Sequence, residues 1–547
     1  MSNNKNKGSI FHLNRWARTG LVVAVAAGVS SMANAGEAIR FDHGGNLKWS
    51  LTTGYGFGVR MEKQDKKLLG AEGNRNFDRH SLTTHRVGAL GELIYTNDSN
   101  SWGDWGAVLR GTTFYDDVYH KKNDNRATAA YPGVNHGGDV NRFSSGAKYY
   151  SGGRSRFLDA YLFTDIQLPS DQYLAVKGGR HVVSWGEGLF YPGVNGAQGP
   201  VDVVKSSTPG TETKEVLLPT GQVSVDWNIN PLFGLSAYYQ YEWLPNELSP
   251  VGSYLSTNNA VGPRPDYLTN DQRYGRYDGK NKPKASGQYG LRATIRPNFD
   301  WEFSVFHINY HDKNPAGLIY GATIPVDFGG GFIKNVPGSY KINYFDNIKL
   351  TGASVSTRIG DTQVSGEVSY RDGAPVSVWT GAGSEVTRGK GYQAQASFIH
   401  TLGDMPWARG TTLIGEIVHV RATGVDAIRR GGVSYDKYDY DEAGNYQTKS
   451  ATAYTAQVAL SYPGIFSGWD LSVPVSFSHV IDGKTPLQGA IGGGQGDRRL
   501  SVGTTFKRLG NLELNGTYVA YMGEANVKRN RQLTDRDQLS FSAKYSF

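Results

Sequence analysis

The chain contains no cysteine, so neither disulfide bonds nor thiolate metal sites stabilise it. It also lacks any uninterrupted run of the roughly 18 apolar residues that a membrane-spanning helix needs. Only 38% of the residues are hydrophobic, which is too few for soluble cores in a chain of 547 residues. Abundant glycine (71 residues) and tyrosine (33 residues) instead favour strands whose two faces meet different solvents.

Motifs of the common enzyme classes are also missing from the sequence. No G-x-S-x-G stands between a strand and a helix, and no His, Cys and Asp cluster has the spacing of a zinc site. We therefore expect no enzymatic activity and no cofactor. Two minor alternatives stay open: a hydrolase built from Ser478 or His479 with Asp482, and calcium binding by the acidic loop 436–441.

Residues 1–35 have the pattern of a secretory signal peptide. A basic start precedes the apolar stretch 21–29, and the small-x-small sequence 33–35 predicts cleavage after Ala35. Removing the four basic residues of this segment leaves 53 basic against 49 acidic residues. That balance gives no nucleic-acid footprint. The segment predicts Sec export.

The last ten residues alternate strictly between apolar and polar side chains, which is the pattern of a β-strand. The chain then stops on an aromatic residue. This ending resembles the C-terminal signal by which outer-membrane barrels are recognised for assembly. Its candidate signal residues are Phe541, Tyr545 and Phe547.

About 18 alternating stretches of roughly ten residues run through the chain, and ten is the length of a tilted strand that crosses a bilayer. The connections between them alternate between short and long, as in bacterial barrels with short periplasmic turns and long extracellular loops. We therefore predict an all-β fold, a single transmembrane antiparallel β-barrel over residues 36–547. Sixteen strands is the alternative count. The long connections are predicted near 62–83, 117–154, 187–221, 244–285, 313–346, 371–390, 424–450, 484–496 and 523–537.

Most tryptophans lie beside the predicted short turns, where a periplasmic aromatic girdle would stand. These are Trp102, Trp105, Trp227, Trp301, Trp407 and Trp469.

If the aliphatic and aromatic positions of each strand face lipid, the alternate positions line the interior. Their charges are of mixed sign, so they predict no single-sign ring of an ion-selective channel. For each of them, pairing with a neighbour to hold the barrel shape is the alternative role. The pore or constriction candidates are Arg60, Arg110, Asp159, Arg180, Trp185, Glu187, Lys214, Glu215, Tyr238, Glu242, Arg292 and Glu367.

Three stretches form a more specific pattern: 179–187 (GRHVVSWGE), 200–203 (PVDV) and 209–219 (PGTETKEVLLP). Together they resemble the signature of the outer-membrane family known as domain of unknown function 1302. The resemblance extends over essentially the whole mature chain. His181 and Thr211 are departures from the residues usual in that signature.

The resemblance implies a barrel in the Gram-negative outer membrane, inserted by the outer-membrane assembly machinery. It further implies, as possible partners, an inner-membrane transporter of the resistance-nodulation-division (RND) type and a periplasmic lipoprotein-sorting-like protein. Nucleic acid is not an expected partner.

The signature itself suggests a structural role for residues 187–221. Arg180 with Glu187, and Lys214 with Glu215, offer opposite charges, and four prolines stiffen the path. We hypothesise that this loop folds into the barrel as a constriction or plug anchored to the wall. A surface loop held for folding is the equal alternative.

The leading functional hypothesis is a passive channel for small hydrophobic or amphipathic molecules. A structural or adaptor barrel that partners an RND-type transporter in lipid or hydrophobic-compound traffic is the alternative. The solute, the direction of transport and the oligomeric state do not follow from the sequence.

Deletion of Phe547 tests the C-terminal signal. We expect the shortened chain to cross the inner membrane normally but to accumulate in the periplasm, because the assembly machinery no longer receives the terminal aromatic. Fractionation and heat-modifiable gel mobility measure the two steps. Normal amounts of folded barrel in the outer membrane would contradict the assignment.

Overall fold

The computed structural model describes residues 38–42, 44–97, 103–126, 139–170, 172–268 and 273–547. The predicted signal peptide and Trp102 lie outside this part of the chain.

Eighteen antiparallel strands close into one barrel, so the predicted fold class and the higher strand count are confirmed. We number them β1 to β18. They are β1 Gly45–Arg60, β2 Leu82–Asn97, β3 Asp104–Asp116, β4 Gly153–Leu168, β5 Gln172–His181, β6 Thr220–Asn228, β7 Phe233–Gln240, β8 Gln288–Ile295, β9 Trp301–Tyr310, β10 Ile348–Ile359, β11 Thr362–Trp379, β12 Ser384–Met405, β13 Ala408–Val425, β14 Ser450–Phe466, β15 Trp469–Asp482, β16 Arg498–Arg508, β17 Leu512–Met522 and β18 Gln538–Ser546.

The remaining elements are short and belong to the connections or the N-terminal end. The helices are Lys66–Leu68, Glu72–Arg75, Val118–His120, Ser145–Tyr150, Asn195–Gln198, Val203–Ser206 and Thr213–Val216. The accessory strands are Ile39–Arg40, Arg276–Asn281, Leu318–Tyr320, Thr323–Asp327, Ile333–Pro337, Ser339–Asn343, Ile428–Arg430, Val433–Tyr435, Tyr440–Glu442 and Asn445–Gln447. No helix in the described part of the chain is long and apolar enough to cross a membrane.

The connections after even-numbered strands have two to six residues, which matches the predicted turns. Those after odd-numbered strands are long, with one exception. Residues 371–390 were predicted as a loop, but β11 continues to Trp379 and β12 begins at Ser384. The hairpin extends because Ala374, Val376 and Val378 continue the alternation and are buried.

The outer surface of the barrel is apolar, as the alternation predicts. Leu93, Phe157, Leu162, Val305 and Ile417 are among its exposed side chains. The described tryptophans Trp105, Trp227, Trp301 and Trp407 beside the short turns are exposed as well.

The assignment of every aliphatic and aromatic position to the lipid face is wrong for the outer half of several strands. Phe306, Ile308, Leu350, Val418 and Val420 point inward and belong to one large buried cluster. They face inward because long connections fold into the barrel and bring apolar side chains with them. The barrel therefore has a packed core in addition to a polar lining.

The first and last strands close the barrel, as predicted. Thr52 pairs with Ser546 and Arg60 with Gln538. The amide of Phe547 donates a hydrogen bond of 2.9 Å to the carbonyl of Leu51, so the terminal aromatic residue is tied into the closing seam.

Arg60, a pore candidate, is instead buried at the outer end of this seam. Its guanidinium lies 3.0 Å from the carboxylate of Asp535 and donates to backbone carbonyls of Asn74, Phe77 and Asp535. With a fully buried side chain, Arg60 links the loop after β1 to the loop before β18 rather than meeting solute.

Replacing Arg60 with Ala removes this link and leaves the Asp535 carboxylate buried. We expect a loss of about 3–5 kcal/mol in the free energy of unfolding, because the variant loses a buried ion pair and leaves the buried carbonyls of Asn74 and Phe77 without their donor, although Arg536 still pairs with Asp535. Urea unfolding of the barrel in lipid vesicles measures it. Arg79→Ala, on the exposed part of the same loop, is the matched control, and equal midpoints for both variants would refute the role.

Candidate functional site

The connection between β5 and β6, residues 182–219, runs through the inside of the barrel, and we call it the inner segment. Its first half contacts β11 and β13. Its second half contacts β3, and Gly210 lies against Ser542 of β18. β3 and β11 are eight strands apart in a barrel of eighteen, so the inner segment crosses between nearly opposite walls.

Two wall carboxylates hold the first half through its backbone. Glu367 of β11 accepts hydrogen bonds from the amides of Glu187 (2.9 Å) and Val194 (2.8 Å). Glu416 of β13 accepts from the successive amides of residues 189–191. Successive N–H groups that converge on an anion form a nest, in which backbone dipoles stabilise the buried negative charge.

Two glycines of the inner segment, Gly186 and Gly193, allow this close approach. A Cβ at Gly186 would lie 2.7 Å from the Glu367 carboxylate, and one at Gly193 would collide with the same group. Gly193 also has a φ of +45°, which side chains disfavour. Arg371 of β11 completes the anchor by donating to the carbonyl of Gly193 at 2.9 Å.

Apolar contacts hold the centre of the inner segment. The ring of Trp185 packs against Tyr238 of β7 with 5.0 Å between ring centroids. Val194 and Ala197 are buried in the cluster that also contains the inward side chains of β9 and β13. The guanidinium of Arg292 lies 5.6 Å above the Trp185 ring, at the distance of a cation–π contact.

Ion pairs hold the second half of the inner segment. The carboxylate of Asp202 receives Arg154 at 2.9 Å and Arg156 at 2.7 Å, both from β4. Glu215 pairs with Lys205 and accepts a hydrogen bond of 2.8 Å from Thr112 of β3. Burial is the main reason that the pKa of Lys205 falls to about 8.

A lysine outside the inner segment also binds it. Lys313, which follows β9, donates from Nζ to the carbonyl of Ala197 at 2.7 Å. Burial lowers the pKa of Lys313 to about 8 and raises the pKa of the adjacent Asp312 to about 6. Asp312 is buried beside Trp243, whose indole N–H donates to the Asp312 carbonyl at 3.2 Å.

The charge pairs suggested by the sequence form with other partners. Arg180 lies 3.2 Å from Glu242 instead of near Glu187, and Lys214 lies 3.2 Å from Glu212 instead of pairing with Glu215. Burial, followed by the nearby Glu302 carboxylate, raises the pKa of Glu187.

Arg180 is on the outer face of the barrel, not in the lumen. Arg180 is paired with Ala160 of β4 and with Gly221 of β6. Ala160 lies on the same face as the exposed Leu162, and Gly221 lies on the same face as the exposed Val223. Side chains of paired residues point to the same side of a sheet. β7 ends at Gln240, so Glu242 lies beyond the strand and follows Arg180 to this side.

The other strand candidates point inward. Arg110 sits between Glu92 and Asp159, 2.5 Å from the Asp159 carboxylate, and forms a compact triad on the wall of β2 to β4. Thus Arg110, Asp159, Tyr238, Arg292 and Glu367 share the lumen.

Sequence reasoning missed Glu416, Arg371, Asp202 and Lys205 as anchors of the inner segment. Charged residues in a sequence suggest side-chain ion pairs, whereas Glu367 and Glu416 bind backbone amides. The available signal was the pair of glycines at 186 and 193, since glycine permits backbone to approach a side chain closely.

Neither of the minor alternatives gains a geometric basis. Ser478 and His479 are consecutive in β15, so their side chains point to opposite faces. Within the described residues, no group of three His, Cys, Asp or Glu side chains is placed to hold a metal ion.

The chain belongs to the family described as protein of unknown function (DUF1302), whose profile matches residues 16–547. No curated protein matches it significantly. Among solved structures, it is similar to OccAB1 of Acinetobacter baumannii, with 10% identity, a TM-score of 0.45, and coverage of 94% of this chain and 99% of the other. OccD3 (OpdP) of Pseudomonas aeruginosa matches with 12% identity, a TM-score of 0.43, and coverage of 95% and 97%.

The raised pKa of Asp312 predicts a pH dependence of stability. The unfolded carboxyl releases its proton near pH 3.8 and the folded one near pH 6, so the folded state binds more protons between these values. Stability should therefore fall as the pH rises through this interval, on the order of 3 kcal/mol in all.

Urea unfolding at several pH values tests this dependence. Asp312→Asn should remove this part of the slope, whereas Asp278→Asn on the exposed outer loops should leave it intact. A slope that is the same in wild type and Asp312→Asn would show that Asp312 ionises normally.

Proposed function

We propose that this member of the DUF1302 family is a passive outer-membrane channel for small hydrophobic or amphipathic molecules, with the inner segment as its constriction. The observation that carries the proposal is the anchoring of one segment to nearly opposite walls inside a closed barrel. A loop held only for folding has no need of wall carboxylates that bind its backbone in mid-lumen.

The outer surface supports a membrane location. Every backbone polar group in a bilayer must be paired, and a closed barrel with apolar outward side chains meets that demand. The alternation of short turns and long connections supports an orientation with the long connections outside the cell.

The interior supports a solute with apolar character. Val183 and Tyr191 of the inner segment pack against the buried cluster, so a solute that passes the constriction meets aromatic and aliphatic surface. Charged groups nearby are already bound: Glu367 and Glu416 hold amides, and Arg371 holds a carbonyl. A passive channel of this kind needs no cofactor and no catalytic group.

Replacing both Glu367 and Glu416 with Ala tests the constriction. Each hydrogen bond to a charged group contributes about 1.5–3 kcal/mol, so loss of both anchors should raise the population of released segment by about a hundredfold or more. Single-channel conductance in planar bilayers should then be larger and noisier than that of the wild type.

The double variant Glu385→Ala, Glu442→Ala is the matched control, because these carboxylates pair with Arg430 and Lys437 on the outer loops. Unchanged conductance in the Glu367, Glu416 variant would exclude the inner segment as the constriction. Solute flux into liposomes that contain only the barrel tests the channel hypothesis against the adaptor hypothesis. A barrel that serves only as an adaptor for an inner-membrane transporter passes no solute by itself.

A further inference from the structure

The barrel wall has a gap beside β4. β5 ends at His181 and pairs with β4 only from Ala160 onward. The preceding part of β4, residues 153–159, lies beside β3 on one side but has no strand partner on the other among the described residues. Ten residues of β5 suffice to span a bilayer, so this free edge begins at the outer membrane interface.

A cavity of about 340 Å³ lies against the free edge, and we call it the rim pocket. Its other walls come from residues 243–248, 262–263 and the lysines 280 and 282. It touches Phe157, which is 65% exposed on the outer face of β4, and Leu158, which is buried on the inner face. A cavity that reaches both faces of one strand opens through the wall.

The rim pocket carries an excess of positive charge. Among the described residues, five of its lining side chains are basic (Arg154, Arg156, Arg180, Lys280 and Lys282), whereas Glu247 is the one acidic residue. Glu247 and the deeper Asp202 neutralise Arg154 and Arg156, with Arg156 at 3.0 Å from Glu247. Lys280 and Lys282 have no ion-pair partner in the described part of the chain.

Unused hydrogen-bond donors accompany the unpaired charge. The side chain of Arg154 is only 5% exposed, yet its Nε–H has no acceptor within the described residues, and the same holds for Arg156. A buried donor without an acceptor costs free energy. Burial, followed by the neighbouring Lys282, lowers the pKa of Lys280, and the Glu247 carboxylate offsets only part of this shift.

Most of the other lining residues are apolar or aromatic. Trp243 and Tyr344 pack edge to face at 5.0 Å between ring centroids, and Phe157 stands at the lipid side. The volume is within the range of small-molecule sites, in which a few polar groups orient a mostly apolar ligand.

We propose that the rim pocket binds an anionic amphiphile. Its acidic group meets Lys280, Lys282 and the free arginine N–H donors, while its apolar part lies along Trp243 and Phe157 toward the outer leaflet. An acidic lipid of that leaflet and a free amphiphilic acid share this chemistry. A route for solutes from the rim pocket to the constriction rests on the proposed channel function. Binding of the amphiphile to the rim pocket does not depend on that function.

Binding of dansylated undecanoate to the full-length barrel in vesicles of zwitterionic lipid tests the proposal. The dansyl emission rises in an apolar site, and vesicles without protein give the background. Lys280→Ala with Lys282→Ala should weaken binding about tenfold or more, since two charge-assisted contacts are lost. The methyl ester of the probe, which carries no charge, should bind wild type as weakly as the acid binds the variant.

The matched control removes Lys334 and Lys341, two exposed lysines of the outer connection 311–347, and should bind the acid like wild type. Heat-modifiable gel mobility confirms that each variant is folded. Equal affinity of wild type and the Lys280, Lys282 variant, or equal affinity for acid and ester, would overturn the proposal.

Competition distinguishes the two ligand sources. Lipopolysaccharide added to the vesicles displaces the probe if a lipid headgroup occupies the rim pocket, and leaves it bound if the pocket selects free acids. Both results support an anionic ligand. Conductance of the Lys280, Lys282 variant is measured separately, so loss of probe binding and absence of a channel are independent results.

Discussion

The pairing of β1 with β18 is the constraint on which the whole molecule depends. In a bilayer, an open sheet edge would expose unpaired amide and carbonyl groups to lipid, and closure is the only way to pair them all. The seam runs from Thr52 with Ser546 to Arg60 with Gln538. Arg60 and the Phe547 amide reinforce its two ends, one through Asp535 and the other through Leu51.

Closure creates an interior that the chain then fills in two ways. The outer halves of β9, β10 and β13 present apolar side chains that pack with the inner segment. Other wall positions hold the segment through charge, either by carboxylates on its amides or by arginines on Asp202. Apolar packing is non-directional and does not fix the path of the segment. The directional hydrogen bonds of Glu367 and Glu416 select one path for its backbone.

The anchoring also explains why the barrel wall is uneven. β5 stops at His181 because the chain turns inward there to form the inner segment, and β4 continues beyond it. The same turn that builds the constriction therefore leaves the free edge of residues 153–159. The inner segment and the rim pocket therefore both result from the point at which the chain leaves the sheet after β5. Asp202 of the inner segment connects the two by pairing with Arg154 and Arg156.

The strands could be predicted from the sequence because the alternation of side chains with a period of two is a local property of each strand. About eighteen strands, their short turns and the closing pair followed from it, and so did the inward direction of Arg110 and Glu367. The face of Arg180 did not follow, because it depends on the register with Ala160 and Gly221. The loop at 371–390 was mispredicted because Ala374 and Val376 are held in the strand by packing with Leu487 of a distant connection.

By itself, the sequence determined the barrel and its family and favoured eighteen strands over sixteen, because alternation and short linear motifs are readable along one dimension. The partners of the inner segment were decided only by the tertiary structure. Every residue except proline has a backbone amide, so the residue types at 189–191 do not indicate that their amides donate to Glu416. Contacts between residues some two hundred positions apart exist only once the barrel has closed and brought its walls to face each other.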